Sequence, residues 1–194
     1  MLGAKLTRIL ECGIGVPPLL LSVFPHGVRR SSLICVMSGD GRERLEGYLR
    51  EQGMSFKLIE HAHTETAAAE AQVAHLPAEQ TAKTVVLHTP DGYRFAVLPA
   101  SDRLDLHKAA DALDVARHQL RLASEDDMAS DFSAYEVGAV PPMGPDTPAE
   151  LIDMRLLGYQ HVLCSAGDHE HSLVVDPSDI VRVTGARTTD LRQE

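Results

Sequence analysis

Lys83-Thr-Val-Val-Leu-His88 and Tyr93-Arg-Phe-Ala-Val-Leu98 are two β-rich runs joined by Thr89-Pro-Asp-Gly92. The joining residues are typical of a tight turn, because proline fixes φ and glycine adopts backbone shapes that are closed to other residues. Two β-rich runs on either side of such a turn predict a β-hairpin. The rest of the fold is predicted outward from this hairpin.

Helices are predicted mainly before the hairpin and strands mainly after it. Leu45, Tyr48 and Leu49 recur at helical spacing between Gly41 and Gly53, so the first helix is predicted there. The other predicted elements are a strand over 56–59, an Ala-rich helix capped by Thr64 and running to Val73, a helical turn at Pro77, a helix over 104–113, a short helix opened by Ser124 and Asp127, strands over 151–156, 161–164 and 172–175, and a helical turn over 177–183. Because βαβ alternation is missing, this order predicts an α+β domain with a mixed, curved, barrel-like sheet flanked by helices.

The composition is ordinary for a globular protein. The chain has 194 residues, of which 44% are hydrophobic, and a formal net charge of −10. This charge argues against a large nonspecific nucleic-acid surface, although it allows a nucleic acid that is touched at one end. Cys12, Cys35 and Cys164 form no CxxC pair and are too few for a disulfide framework, which favours a reducing cytosol.

Three regions are predicted along the chain. Residues 1–39 are interpreted as an N-terminal arm, either disordered or the result of a start codon upstream of Met37. The apolar run within this arm, 17–24, is far shorter than the roughly 18–20 residues needed to cross a bilayer. A weak signal or transit segment is the alternative interpretation, but the double proline and the missing small-residue cleavage pattern count against export. Residues 40–187 are predicted to form one folded domain. Residues 188–194 are predicted to be a polar tail, with fraying after Gly185.

The segment Gly138-Ala-Val-Pro-Pro-Met-Gly144 is the clearest local sign of a binding site. Proline lacks the backbone N–H and fixes φ, so two adjacent prolines between glycines exclude a regular helix or a central strand. The segment is predicted to be a stiff turn whose exposed backbone holds a small ligand by main-chain hydrogen bonds.

Two charged residues in predicted strands have two interpretations each. Lys83 at the start of an apolar strand either binds a phosphate or carboxylate as a point charge, or covers the sheet edge with its stem. Asp153 alternates with Ile152 and Met154, so it lies either on a solvated outer face or in a pocket.

The histidines suggest a metal site as an alternative. The relevant residues are the pairs His61/His63 and His169/His171, with Cys164 and Asp168 near the second pair. Residues i and i+2 share a face of a strand, so two imidazoles could bind one Zn²⁺, but further ligands have no recognisable spacing. The sequence contains no G-x-S-x-G, Walker or dinucleotide motif, and Cys164 in an apolar strand is predicted to be a core residue.

Several segments occur together in the order that is found in YbaK-type aminoacyl-tRNA editing domains, a family also associated with prolyl-tRNA synthetases. These segments are His63-Thr64 with the Ala-rich helix that follows, 82–87, 98–106, 138–144, 151–153, and 165–168 with Asp179-Ile180. Together they cover roughly residues 42–185. The chain resembles this family by the joint order and spacing of these segments.

The resemblance implies a compact α+β fold that hydrolyses the ester between a wrong amino acid and its tRNA, without a cofactor. Lys83 would hold the phosphate near the 3′-terminal adenosine, and Gly138 would orient the ester and the attacking water. The other implied substrate-binding residues are Pro141, Pro142, Met143, Gly144, Asp153, Gly167 and Asp168. The family commonly has Phe at the position of Met143, which leaves the amino-acid preference open.

The predicted function is a freestanding cytoplasmic deacylase that binds the 3′ CCA end of mischarged tRNA, with Ala-, Cys- or Ser-tRNA of the proline system as candidate substrates. A synthetase is a further candidate partner. The basic residues Arg103, Lys108, Arg117 and Arg121 either meet the acceptor stem or form a solvated helix face. The alternatives are a non-catalytic module that binds aminoacyl-tRNA or a nucleotide, and a metal-dependent hydrolase that uses His169 and His171.

Overall fold

The structure is a computed structural model that describes residues 41–194. The arm predicted for residues 1–39 therefore lies outside the described residues. The described helices are α1 (Gly41–Glu51), α2 (Ala67–Val73), α3 (Leu106–Ala112), α4 (Glu125–Asp131) and α5 (Pro177–Thr184). The described strands are β1 (Phe56–Glu60), β2 (Ala82–Thr89), β3 (Gly92–Pro99), β4 (Arg121–Leu122), β5 (Leu151–Asp153), β6 (Val162–Ser165), β7 (His171–Val175) and β8 (Arg187–Thr189). Among these helices, none is long and apolar enough to cross a membrane.

The predicted hairpin is the centre of a five-stranded sheet with the order β4-β2-β3-β5-β8. Strands β2 and β3 pair antiparallel from Ala82↔Pro99 to Thr89↔Gly92, whereas β5 is parallel to both β3 and β8. The sheet is therefore mixed, as predicted. A second sheet, in the order β1-β7-β6, is antiparallel throughout.

The α+β class is confirmed, but the strands lie in two sheets and neither sheet closes into a barrel. A single parallel bridge between Thr81 and Leu163 joins β6 to the residue that precedes β2. Because pairing stops after this one position, the sheets remain separate instead of forming one continuous curved sheet.

Local sequence signals account for most helix boundaries. In α1, Leu45 and Leu49 are buried one turn apart, and in α4 the predicted capping box forms between Ser124 and Asp127. The predicted cap of α2 is wrong by two residues. Thr66 supplies the hydroxyl that accepts a hydrogen bond from the Ala69 N–H, while the Thr64 N–H instead donates to the carbonyl of His169.

The core lies on both faces of the five-stranded sheet. On one face, Leu87 and Ala96 pack with Ala109 and Ala110 of α3. On the other face, Val86 packs with Val140 of the predicted stiff turn. Since side chains alternate along a strand, the two faces of β2 meet different parts of the molecule.

The end of the chain is packed, so the predicted fraying after Gly185 is wrong. Strand β8 pairs with β5, and Leu191 is fully buried. The Leu191 N–H donates to the carboxylate of Asp153 over 2.8 Å. Sequence patterns missed this because one leucine in a polar segment gives no periodicity, and its partners lie far away in the chain.

Candidate functional site

The predicted stiff turn is the irregular segment 138–144, referred to below as the bend. Gly138 opens it with a φ of +91°, a conformation that favours glycine. A Cβ atom there would lie 3.7 Å from both the Glu65 carbonyl oxygen and His169 Cε1, so backbone conformation and not lack of space selects glycine. Gly138 is exposed, whereas residues 139–144 are buried. A ligand thus reaches the backbone of the bend at Gly138.

The remaining predicted site residues of the bend support it from the interior. Pro141 and Pro142 are buried, and Met143 is fully buried in the same core cluster as Leu45. Gly144 closes the bend, where an added Cβ would lie 3.0 Å from the Thr147 hydroxyl. Any effect of Met143 on substrate preference would therefore act through the packing beneath the bend.

A second glycine loop, residues 165–168, lies directly against the bend. The Ser165 hydroxyl donates to the Ala139 carbonyl over 2.8 Å and accepts from the Gly167 N–H over 3.2 Å. Gly167 has a φ of +110°, and its carbonyl accepts from the Glu136 N–H over 3.0 Å. The structure thus brings the predicted residues Gly138 and Gly167 into one hydrogen-bonded unit.

A cavity of about 490 Å³ opens beside these two loops and is called the bend cavity below. Residues 133–136 form one wall and residues 167–168 with 170–171 form another, and Arg42 and His63 complete the lining. Most of these groups are polar, which suits a small charged or hydrogen-bonding ligand.

Asp168 is the main carboxylate of the bend cavity. Its Oδ1 lies 2.9 Å from His171 Nδ1, and its Oδ2 lies 3.6 Å from Arg42 Nε. Burial opposes ionisation, but hydrogen bonds from the Glu170 N–H and from His171 hold the pKa of Asp168 below its usual value. This side chain is therefore an anion at neutral pH, with its charge partly balanced.

Lys83 is half-buried at the start of β2. Its ammonium group donates to the Ala100 carbonyl over 3.2 Å and to the Asp102 carbonyl. Burial lowers the pKa of Lys83, and the nearby Asp102 charge opposes this effect. An ammonium group has three N–H donors, so one remains for an anionic ligand.

Lys83 and Gly138 belong to different sets of contacts. The partners of Lys83 lie in the turn 100–102, whereas the atoms nearest to a Cβ at Gly138 belong to Glu65 and His169. Strand β6 connects the two sets, because Leu163 bridges to the residue that precedes β2 and Ser165 binds the bend. That Lys83 and Gly138 act on one substrate stays a prediction.

Asp153 is neither solvated nor open to a cavity, because it is fully buried. Arg155 Nε and Nη2 donate to its two oxygens over 2.8 and 2.7 Å. Burial opposes ionisation, but hydrogen bonds from Arg155 and from the Leu191 N–H hold the pKa of Asp153 below its usual value. In this geometry Asp153 anchors Arg155.

The histidine pairs bind separate partners. His61 Nε2 lies 2.7 Å from the Ser172 hydroxyl, whereas the His63 ring packs edge-on against His169 with centroids 5.2 Å apart. His169 Nε2 lies 3.1 Å from the Val137 carbonyl, while His171 binds Asp168. Within residues 41–194, no group of three or more His, Cys, Asp or Glu side chains is placed to hold a metal ion.

Cys164 is fully buried, as predicted for a core residue, and burial raises the pKa of its thiol.

Sequence reasoning missed two side chains that shape these regions. Tyr135 is buried between the loops, and a Cβ at Gly167 would lie 2.8 Å from its ring. Arg155 binds Asp153 and Asp190, and its Nη1 lies 3.6 Å from Asp102. An aromatic residue three positions before the bend was a local signal for Tyr135, in a chain with only 4% aromatic residues.

Comparison with known proteins identifies the class to which this fold and site belong. The model of the aminoacyl-tRNA editing domain family matches residues 61–183, a range that includes Lys83, both glycine loops and Asp153. The chain belongs to the aminoacyl-tRNA editing domain family. The YbaK-type resemblance is thereby confirmed.

Three solved structures share the fold. A candidate trans-editing enzyme for prolyl tRNA synthetase is 28% identical, with a TM-score of 0.71 over 80% of this chain and 99% of that chain. A scaffold protein for grafted linear epitopes is 26% identical, with a TM-score of 0.69 over 80% and 99%. A hypothetical protein is 23% identical, with a TM-score of 0.69 over 77% and 99%, and supports the fold alone.

Proposed function

We propose that this protein is a deacylase that hydrolyses the ester bond of mischarged aminoacyl-tRNA. The observation that carries the proposal is the exposed backbone of Gly138 in a bend that is hydrogen-bonded to the 165–168 loop of the bend cavity, all within the range matched by the editing-domain family. The similarity to a candidate trans-editing enzyme for prolyl tRNA synthetase supports substrates of the proline system, and the Ala-, Cys- and Ser-tRNAs predicted from the sequence are the candidates.

The reaction requires little chemistry from side chains. A water molecule attacks the carbonyl carbon of the ester, the bond from this carbon to the ribose oxygen breaks, and the proton from water ends on the ribose hydroxyl. An aminoacyl ester is already activated, so positioning of the water and the carbonyl supplies most of the rate enhancement. A hydroxyl group of the terminal ribose would assist the proton transfer.

Three of the predicted residues have a defined task in the proposed reaction. The free N–H of the Lys83 ammonium group would bind the phosphate next to the terminal adenosine. The Gly138 backbone would orient the ester, because the positive φ directs its peptide groups in a way that other residues rarely adopt. The ionised Asp168 is available to receive the substrate α-ammonium group by charge attraction.

The assignment of Lys83 is tested by Lys83→Ala, with Lys57→Ala on the exposed face of β1 as a matched control. We expect the Lys83 variant to lose about 100-fold in kcat/KM for deacylation, because a charge-assisted contact to phosphate is removed. The control should retain full activity. Circular dichroism and thermal unfolding would establish that both variants fold. Near-normal deacylation by a folded Lys83→Ala protein would overturn the assignment.

A panel of mischarged Ala-, Cys- and Ser-tRNAs identifies the substrate and separates this proposal from its alternatives. A deacylase shortens the lifetime of at least one ester, whereas a non-catalytic binding module only protects the esters. Activity lost on chelation and restored by a metal ion would instead favour a metal-dependent hydrolase. A cytoplasmic location and a synthetase partner fit the proposed role, because aminoacyl-tRNA is made and used there.

A further inference from the structure

A group of adjoining hollows lies where β3, β5 and β8 end, apart from the bend cavity. One hollow of about 400 Å³ and another of about 420 Å³ share Ser101, Asp102 and Arg192. A third hollow, of about 350 Å³, adjoins them through Arg155 and Arg192. Together they form a continuous depression, called the Asp102 groove below, whose central members are 101–103, Arg155, Tyr159 and Arg192.

The groove is balanced in charge on a chain that is acidic as a whole, because four cations line it together with the carboxylates of Glu79, Asp102, Asp190 and Glu194. Five of its 18 Lys and Arg residues lie on or beside the groove, although the net charge of the protein is −10. These five residues are Lys83, Arg103, Lys108, Arg155 and Arg192. A polyanion therefore meets less repulsion here than over the acidic remainder of the surface.

Carboxylates hold these cations in place while leaving them open to solvent. Arg155 Nη1 lies 3.6 Å from Asp102 Oδ2, and Arg192 Nε lies 3.9 Å from Asp102 Oδ1. The Arg192 side chain is nevertheless 58% exposed. The long Arg192–Asp102 pair stabilises the protein little, so an incoming phosphate replaces this carboxylate at small cost, whereas Arg155 stays bound to Asp153 and Asp190. Arginine also matches phosphate in geometry, because its donors form a planar fork.

An aromatic ring lies in the same groove. Tyr159 is half-buried, packs partly against the main core and lines the hollow beside Arg155 and Arg192. Sites for single-stranded nucleic acid combine a basic groove with aromatic rings on which bases stack. A groove that contains both Tyr159 and exposed arginines is therefore suited to binding a single RNA strand.

The groove is continuous with Lys83, because the ammonium group of Lys83 donates to the Asp102 carbonyl within the turn at its centre. We propose that the Asp102 groove binds the single-stranded 3′ end of tRNA on the 5′ side of the terminal adenosine. Arg192 and Arg103 contact its phosphates, and Tyr159 stacks on one of its cytosine bases. This inference rests on the proposed function, which assigns the terminal phosphate to Lys83.

The structure also separates the four basic residues for which the sequence suggests either a contact with the acceptor stem or a solvated helix face. These residues are Arg103, Lys108, Arg117 and Arg121. Arg103 and Lys108 border the Asp102 groove. Arg121 lies in β4 at the opposite edge of the sheet, and Arg117 donates to the Leu120 carbonyl just before that strand. Only the first two therefore belong to the proposed RNA path.

The test uses the full chain and a fluorescein-labelled RNA tetranucleotide that ends in CCA and carries no amino acid. Arg192→Gln and Tyr159→Leu should each weaken binding about tenfold in fluorescence anisotropy, and Arg121→Gln is the matched control. The slope of log Kd against log salt concentration should decrease by about 0.7 for Arg192→Gln, because one phosphate contact is lost. The same slope should stay unchanged for Tyr159→Leu. Wild-type affinity in both groove variants, or an equal loss in the Arg121 control, would overturn the proposal.

A second measurement keeps this inference separate from the proposed function. In the groove variants, the ratio of kcat/KM for aminoacyl-tRNA to kcat/KM for aminoacyl-adenosine should fall about tenfold, because the short substrate lacks the nucleotides that the groove binds. An unchanged ratio contradicts the groove. If wild-type protein hydrolyses neither substrate yet binds the RNA in a groove-dependent way, the deacylase proposal fails while the groove stands.

Discussion

Glu70 is a carboxyl group buried between α2 and the three-stranded sheet. The Ser172 hydroxyl of β7 donates to it, and His61 Nε2 lies 2.7 Å from the same hydroxyl. Burial raises the pKa of Glu70 above its ordinary value, although the hydrogen bond from Ser172 opposes this effect. Folding therefore shifts Glu70 towards its neutral form relative to the unfolded chain.

The raised pKa makes a prediction about stability. Because the pKa of Glu70 is higher in the folded state than its usual 4.5, its stabilising contribution is full below pH 4.5 and is lost as pH rises through the folded-state pKa. Glu70→Gln, which removes the charge, should raise the free energy of unfolding at pH 7 by about 1 kcal/mol. Urea unfolding between pH 4 and pH 8 measures this.

The exposed residue Glu79 supplies the control, because Glu79→Gln should leave the pH dependence of unfolding unchanged. If Glu70→Gln instead lowers the free energy of unfolding at pH 7, ionised Glu70 must be stabilised by its neighbours.

At the scale of elements, the sequence predicts most features that depend on short-range signals, but it does not specify which distant strands pair. The hairpin and the capping box of α4 depend on residues within a few positions of each other, so the sequence predicts them. The pairing of β1 with β7 joins Phe56 to Val175, and no local pattern specifies that partner.

The candidate site follows the same division. Gly138 and Gly167 were expected to line one pocket because of the family resemblance, and the two loops do bind each other through Ser165. The full burial of Asp153 is not predicted from the sequence, because one of its hydrogen bonds comes from the Leu191 N–H, which follows it by 38 residues.

The contact between the two glycine loops makes a prediction about their stability. Gly167→Ala should cost about 3 kcal/mol in unfolding free energy, because the new Cβ would lie 2.8 Å from the Tyr135 ring at a φ of +110°. Gly53→Ala is the control, since Gly53 has a φ of +64° with no atom near the added Cβ, and it should cost about 1 kcal/mol. Equal costs in urea unfolding would mean that the Tyr135 ring moves aside freely.

At the scale of the whole molecule, the described residues depend on contacts made near position 190. Strand β8 extends the five-stranded sheet, and the buried Leu191 packs in the cluster beneath α3. Asp190 also binds Lys108 and Arg155, so this segment connects α3 with the turn that follows β5. The segment 187–191 is therefore part of the packed structure.

Leu191→Ala should therefore lower the free energy of unfolding by about 2–4 kcal/mol, because it leaves a cavity in a packed cluster. The same substitution at Leu122, which is 53% exposed, should cost less than about 0.5 kcal/mol. Chemical denaturation of both variants measures the difference. Similar losses at the two positions would contradict the packed end of the chain.

Cys164 gives the domain an internal chemical reporter. Its sulfur is fully buried in β6, in the main core cluster, and burial suppresses formation of the thiolate that reacts with alkylating reagents. Modification of this thiol therefore requires that the surrounding core opens first. The labelling rate of Cys164 measures how often the core around β6 opens, and no probe has to be introduced into the sequence.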